Sequence, residues 1–160
     1  MIPIKFFNEH ERERIIRTLN QQFGIKDVPF ILAKLGKERI VAFSGDISNR
    51  EILNIDEVAH IEGIGLYFAK EEMDGIRLSI EGSQLMKEQI KKNIFELDSK
   101  QAEQWMMGQE INIDASDPIQ KGFFVMKFKN DFLGTGKISN NRITNFVPKP
   151  RRLKFKEKED

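Results

Sequence analysis

The 160-residue sequence contains no cysteine, two histidines, one tryptophan, one tyrosine and five prolines. Without cysteine there is no disulfide framework, no thiolate zinc site, no iron–sulfur cluster and no cysteine nucleophile. His10 and His60 lie far apart, neither belongs to an HxxxH or HxH pair, and neither stands near a nucleophile–base pair of the kind a hydrolytic triad needs. No run approaches the roughly 18 apolar residues of a membrane helix. The opening MIPIKFFNEHERER becomes charged too early for a secretory signal. These absences lead us to expect a soluble cytoplasmic protein with no membrane contact.

What is present is enough for a core. Apolar residues make up 39% of the chain, and 13 phenylalanines supply bulk that a disordered chain lacks. The length suits one ordinary domain or two small ones, which can bury enough surface to fold without disulfide or metal. The near-zero net charge of +1 conceals an asymmetry. Residues 121–160 hold 11 of the 26 basic groups and 4 of the 25 acidic ones, a balance of +7, so residues 1–120 carry −6. Within 121–156 the only acid is Asp131. A polyanion partner for one end accounts for such a distribution, and so does a solvated basic surface with a frayed tail.

Asn8 and Glu11 have capping-box spacing, Ile15, Ile16, Leu19 and Phe23 share one helical face, and Gly24 stops the helix. Residues 30–35 and 39–44 read as two strands joined across Gly36-Lys37. A short helix is expected from Ser48, with Glu51 in the capping-box place, followed by a strand-like stretch over 58–69 that Gly63 and Gly65 bend. Asp74-Gly75 marks a turn, after which Ile76, Leu78 and Ile80 alternate with polar residues. Gly82-Ser83 opens a short helix, residues 94–97 form a strand, and Asp98 caps a helix carrying Ala102, Trp105 and Met106 that stops at Gly108. The end is rich in strands, over 123–128, 132–138 and 143–147, with turns at Asn130-Asp131 and Asn140-Asn141. Short helices and strands mix without long βαβ alternation, which points to an α+β protein in two small units, the first ending near residue 72, with a tight hairpin inside one sheet at Asp74-Gly75 as the alternative to a junction there.

Candidate chemistry is sparse. The acid clusters Glu71-Glu72-Asp74 and Asp114–Asp117 sit at expected turns, where acids are common for backbone reasons. They would serve an enzyme only if an apolar cleft raised their pKa values. Leu133-Gly134-Thr135-Gly136-Lys137 lacks the GxxxxGK[ST] spacing and lies inside a strand, so its glycines fit a bulge or the close approach of other atoms better than a phosphate loop. Gly63-x-Gly65 lacks the third glycine of a dinucleotide fingerprint. No catalytic residue, metal or cofactor is expected.

The basic residues form a more specific pattern. Lys121, Lys127, Lys129, Lys137 and Arg142 accompany strands, and Lys149, Arg151, Arg152 and Lys154 crowd a proline-stiffened segment. Strand alternation would point Lys127 and Lys129 to the same side, away from Phe128. The string NFVPKPRR places an amide, an aromatic ring and three cations on a backbone of restricted φ, and arginine can grip phosphate bidentately. Phe146 suits either sheet packing or stacking on a base.

The string over 122–152, GFFVMKFKNDFLGTGKISNNRITNFVPKPRR, resembles the C-terminal RNA-binding PUA-like domain of Sun/Fmu-type rRNA cytosine methyltransferases. The shared pattern is an apolar strand, LGxGK, an Asn-rich turn and N-[FY]-x-PK-x-R, here Leu133, Gly134, Gly136 and Lys137, then Asn145, Phe146, Pro148, Lys149 and Arg151. Residues 1–72 look like the α/β pre-PUA domain of small ribosome-biogenesis factors in element order and size. The resemblance thus implies an α+β protein with a small N-terminal α/β pre-PUA domain over 1–72, a PUA-like β pseudo-barrel over 73–156 and a charged tail over 157–160. The catalytic cysteines and S-adenosylmethionine-binding domain of those enzymes have no counterpart here, so it implies RNA binding and not methyl transfer. The expected partner is structured rRNA or tRNA, in ribosome biogenesis or RNA modification. Lys127, Lys137, Arg142, Lys149, Arg151 and Arg152 would neutralise phosphates, and Asn145 would fix the backbone or contact a sugar. The acidic first part offers a surface for a protein partner. Alternatives are a protein-docking factor without direct RNA contact and a small-molecule enzyme using the acid clusters.

Overall fold

A computed structural model describes residues 4–44, 50–51, 65–114 and 120–154. The described chain is a mixed α/β structure with two five-stranded sheets. Strand β1 (Ile4–Phe6) leads into helix α1 (Glu9–Phe23). The Asn8 side chain accepts from the Glu11 amide at 2.9 Å and the Glu11 carboxylate accepts from the Asn8 amide at 3.0 Å, so two otherwise orphaned N–H groups are satisfied. Gly24, at φ +82°, takes the left-handed conformation that ends the helix. Ile15, Leu19 and Phe23 are fully buried against the first sheet's core cluster.

That sheet runs in the order β1, β2 (Ile31–Leu35), β3 (Arg39–Phe43), β4 (Leu66–Glu72), β5 (Gly75–Leu78), all antiparallel. The expected unit boundary at residue 72 coincides with the end of β4, but β5 pairs back onto β4 through Glu72↔Gly75 and Ala69↔Leu78. Asp74-Gly75 is therefore a hairpin turn inside the first sheet, and the sheet continues past the expected division. The alternation that carried the expected strand to Ile80 ends sooner. Ser79 Oγ accepts from the Gly82 amide at 2.9 Å and starts helix α2 (Ile80–Leu85), two residues earlier than Gly82-Ser83 predicts.

The second sheet follows the order β6 (Ile94–Glu96), β8 (Gly122–Phe128), β9 (Asp131–Ser139), β10 (Arg142–Thr144), β7 (Ile111–Asn112). Only β6–β8 is parallel, and its crossover carries helix α3 (Ser99–Met106), whose capping box joins Asp98 and Gln101. Asn140 and Asn141 both have positive φ, as a two-residue hairpin that follows strand twist requires. The strand expected over 143–147 stops at Thr144, and a 3-10 turn forms at Lys149–Arg151. Phe123, Val125 and Phe132 of the second sheet join the core cluster of α1 and the first sheet, so the two sheets share apolar packing. Most of the helix expected from Ser48, together with His60, Gly63, Asp117 and the tail over 157–160, lies outside the described residues; Arg50 and Glu51 are helical.

Glu71 ties three elements together. It accepts from Arg14 of α1 at 2.5 Å and from Lys34 of β2 at 3.2 Å. Burial pushes its pKa up, but these two cations outweigh burial and hold it below its ordinary value of 4.5. A depressed folded-state pKa stabilises the protein above the ordinary value, and that contribution is lost as pH falls through the folded one. Glu71→Gln should therefore cost about 1 kcal/mol at neutral pH, the upper range for a partly exposed pair. Melting temperatures of the two proteins should converge as pH falls below 4.5 and through the lowered folded-state value; a difference that stays constant from neutral pH through the acid range would mean that the charge contributes nothing.

Candidate nucleic-acid interface

The LGTGK segment of β9 is a structural joint. Leu133 O accepts from Trp105 Nε1 at 2.8 Å, the Gly134 amide donates to Ser83 Oγ at 3.0 Å, and Thr135 Oγ1 accepts from the Leu78 amide at 2.9 Å. One strand thereby holds α3, α2 and β5. Gly136 lies beside the Trp105 ring, where a Cβ would come within 2.9 Å of Cη2 and closer still to Ile143. Lys137 closes the segment by donating to Asp74 Oδ2 at 2.6 Å, across to the turn of the first sheet.

Asn145 leaves β10 with its amide fully engaged. Its Nδ2 donates to Trp105 O at 2.8 Å and Gln109 O at 2.9 Å, while its Oδ1 accepts from the Val147 amide at 2.8 Å. Of the two roles open to it from the sequence, the geometry shows backbone fixation. Phe146 is half-buried and packs on the first core, with the Arg77 guanidinium 4.0 Å from its ring centre. Arg152 Nε donates to Val147 O at 2.9 Å, and its side chain lies over the bare Cα of Gly108. The chain then returns to α3 through the Leu153 amide and Met106 O at 2.8 Å.

Most of the remaining candidate cations are paired with carboxylates. Lys127 Nζ is 3.8 Å from Glu96, Arg142 is 3.3 Å from Glu110, and Arg151 is ion-paired to Glu81. Lys127 is registered with Phe132 and Arg142 with Ser139. Seven residues of β9 separate those partners, so at roughly 3.3 Å per residue their backbone positions are offset by about 23 Å along the strand. Lys127 and Lys129 do not project together as alternation predicts. Lys129 sits in the β8–β9 turn at φ +53° and lies 5.2 Å from the Phe128 ring centre, because the strand has ended. Lys149 is exposed, with no side-chain partner among the described residues.

Carboxylates at 71–74 are likewise committed. Glu72 accepts from Arg77 at 2.9 Å, and Lys137 holds Asp74, like Glu71, below its ordinary pKa. This is the opposite direction from the raised values an acid–base enzyme would need there. Asp114 is described and engaged, and no group of three His, Cys, Asp or Glu able to hold a metal occurs among the described residues. No described helix is long and apolar enough to cross a membrane.

The sequence reading missed a cleft of about 620 Å³ on the neighbouring first sheet. It is lined by the β2–β3 turn with Lys37, Glu38 and Arg39, by Tyr67 and Lys70 of β4, by Arg77, and by Phe146 and Pro148. The Arg39 guanidinium lies 5.1 Å from the Tyr67 ring centre, and Lys70 pairs with Glu38 at 3.0 Å. These residues are scattered between 37 and 148, and only the stacking of both sheets brings them together.

No curated protein matches the chain. Residues 92–153, which carry the second sheet, α3 and the Asn145–Arg152 segment, match the family model of the methyltransferase RsmF PUA domain, so this part of the chain is similar to a PUA domain, a class that generally binds RNA.

Proposed function

We propose that the protein is a non-catalytic RNA-binding factor that holds structured rRNA or tRNA in ribosome biogenesis or RNA modification, with the unit expected over 1–72, extended by β5, as a pre-PUA-like support that offers acidic surface to a protein partner. The observation that carries this reading is the PUA match over 92–153 combined with an exposed Lys149 on a 3-10 turn braced by Asn145 and Arg152. Bracing keeps the lysine at a fixed place, so ordering it on a phosphate costs less entropy. Backbone contacts of this kind recognise shape and helix ends rather than sequence.

Fluorescence anisotropy of labelled tRNA and small rRNA fragments between 50 and 200 mM salt tests the reading. Six phosphates engaged would give a log–log slope near −5, at about 0.9 per phosphate. Lys127, Lys137, Arg142 and Arg151 already hold carboxylates, and exchanging those pairs for phosphates releases fewer counterions, so a slope of about −3 is expected. Lys149→Glu should weaken binding about tenfold at an unchanged melting temperature. Arg151→Ala should act mildly on affinity, whereas Arg152→Ala should lower the melting temperature, since it strips the Val147 carbonyl of its donor. A flat salt dependence, or wild-type affinity in Lys149→Glu, overturns the proposed surface.

A further inference from the structure

We propose that the cleft between the β2–β3 turn, β4 and the 146–148 segment is a second RNA contact, which takes one unpaired nucleotide next to the structured part gripped at Lys149. The proposal rests on the RNA-binding reading above and adds a site outside the stretch matched to the PUA family, on the first sheet.

Charge is the first argument. Four cations and a single carboxylate line the cleft, Lys37, Arg39, Lys70 and Arg77 against Glu38. Lys70 and Arg77 are occupied by Glu38 and Glu72, but Lys37 and Arg39 have no carboxylate partner among the described residues. This local excess sits in the part of the chain whose overall balance is acidic. It therefore has to be explained at this place rather than by composition.

The aromatic surface is the second argument. Tyr67 and Phe146 both line the cleft, and each ring carries a guanidinium, Arg39 at 5.1 Å and Arg77 at 4.0 Å. The two pairs differ. Arg77 is mostly buried and anchored to Glu72, so the Phe146 face is permanently covered. Arg39 is exposed, and among the described residues its side chain is held only by the half-buried Tyr67. A nucleobase can take its place on the Tyr67 face, which leaves Arg39 free to swing onto the adjoining phosphate. Stacking on an aromatic ring with Lys or Arg on the backbone is how proteins hold unpaired nucleotides. The volume is within the roughly 300–1,000 Å³ range of small-ligand sites.

Continuity is the third argument. Phe146 and Pro148 belong to the wall of the cleft and to the segment that presents Lys149. An RNA held at Lys149 thus ends, or bulges, at the mouth of the cleft.

Three labelled RNAs decide the matter: one stem-loop with blunt ends, the same with three unpaired nucleotides at its 3′ end, and the same with three at its 5′ end. Wild-type protein should bind one of the extended RNAs about tenfold more tightly than the blunt one, the size of one stacked base. Tyr67→Leu, which keeps apolar bulk but removes the phenol ring, and Lys37→Ala with Arg39→Ala should each erase that preference while leaving blunt-stem affinity within twofold. Lys149→Glu should weaken all three RNAs alike and preserve the preference. No preference for either extension, or one that survives in both cleft variants, overturns the cleft while the RNA-binding reading stands. Failure to bind any of the three overturns both.

Discussion

Trp105→Ala is expected to remove about 3–5 kcal/mol of stability, the cost of emptying a large buried aromatic site. At roughly 2–4 °C per kcal/mol for a chain of this size, the melting temperature should fall by about 6–20 °C. The ring is 1% exposed, its Nε1 donates to Leu133 O, and it abuts Gly136, while its own carbonyl accepts from Asn145. One residue thus positions the LGTGK strand and the basic segment together. Trp105→Phe keeps much of the apolar contact but loses the Nε1 donor and part of the ring volume, which should cost about 1–3 kcal/mol. Thermal melts followed by circular dichroism give both values, and a wild-type melting temperature in Trp105→Ala would refute the joint. RNA affinity measured below the transition should fall in the alanine variant as well, because Lys149 loses its support.

Asn145→Ala comes next, at about 2–4 kcal/mol. It leaves the Gln109 carbonyl without a donor and the Val147 amide without its acceptor, and takes one of two donors from the Trp105 carbonyl, which keeps the Gly108 amide at 3.0 Å; an unsatisfied buried group costs about 1–3 kcal/mol, less where water reaches it as at Gln109. Asn145→Asp is the sharper variant, since a carboxylate cannot donate and would face two carbonyl oxygens. Both should melt early, and both should lose RNA affinity through disorder of 146–152. A variant with normal melting and lost RNA binding would return Asn145 to direct contact with a sugar. Comparing urea midpoints with affinities at the same temperature separates the two outcomes.

Local grammar was readable in the sequence wherever neighbours along the chain supply both partners. The Asn8–Glu11 capping box and the Asp98 cap were legible because a turn of helix brings side chain to amide, whatever surrounds them. Gly24 and the Asn140-Asn141 pair are chosen by backbone φ. The LGxGK and N-F-x-PK-x-R patterns pointed to a PUA-like domain without any structure, and the family match over 92–153 agrees.

Interactions between residues far apart in the chain were not readable in that way. A sequence shows that Arg151 and Arg152 are adjacent cations, yet only the folded chain sends one to Glu81 and the other to the Val147 carbonyl. Equally, Lys127 and Arg142 belong to the same charge run but are separated by the length of β9. The turn at Asp74-Gly75 was legible, whereas the allegiance of β5 was not, because pairing depends on which edge is free once α1 and the sheets meet. The cleft at Tyr67 is the extreme case, built from residues 37 to 148 with no spacing in common. Composition, caps and motif were set by the sequence itself. Which cations remain available to a polyanion was decided by tertiary structure, since an ion pair is a matter of a few ångströms in space and not of distance along the chain.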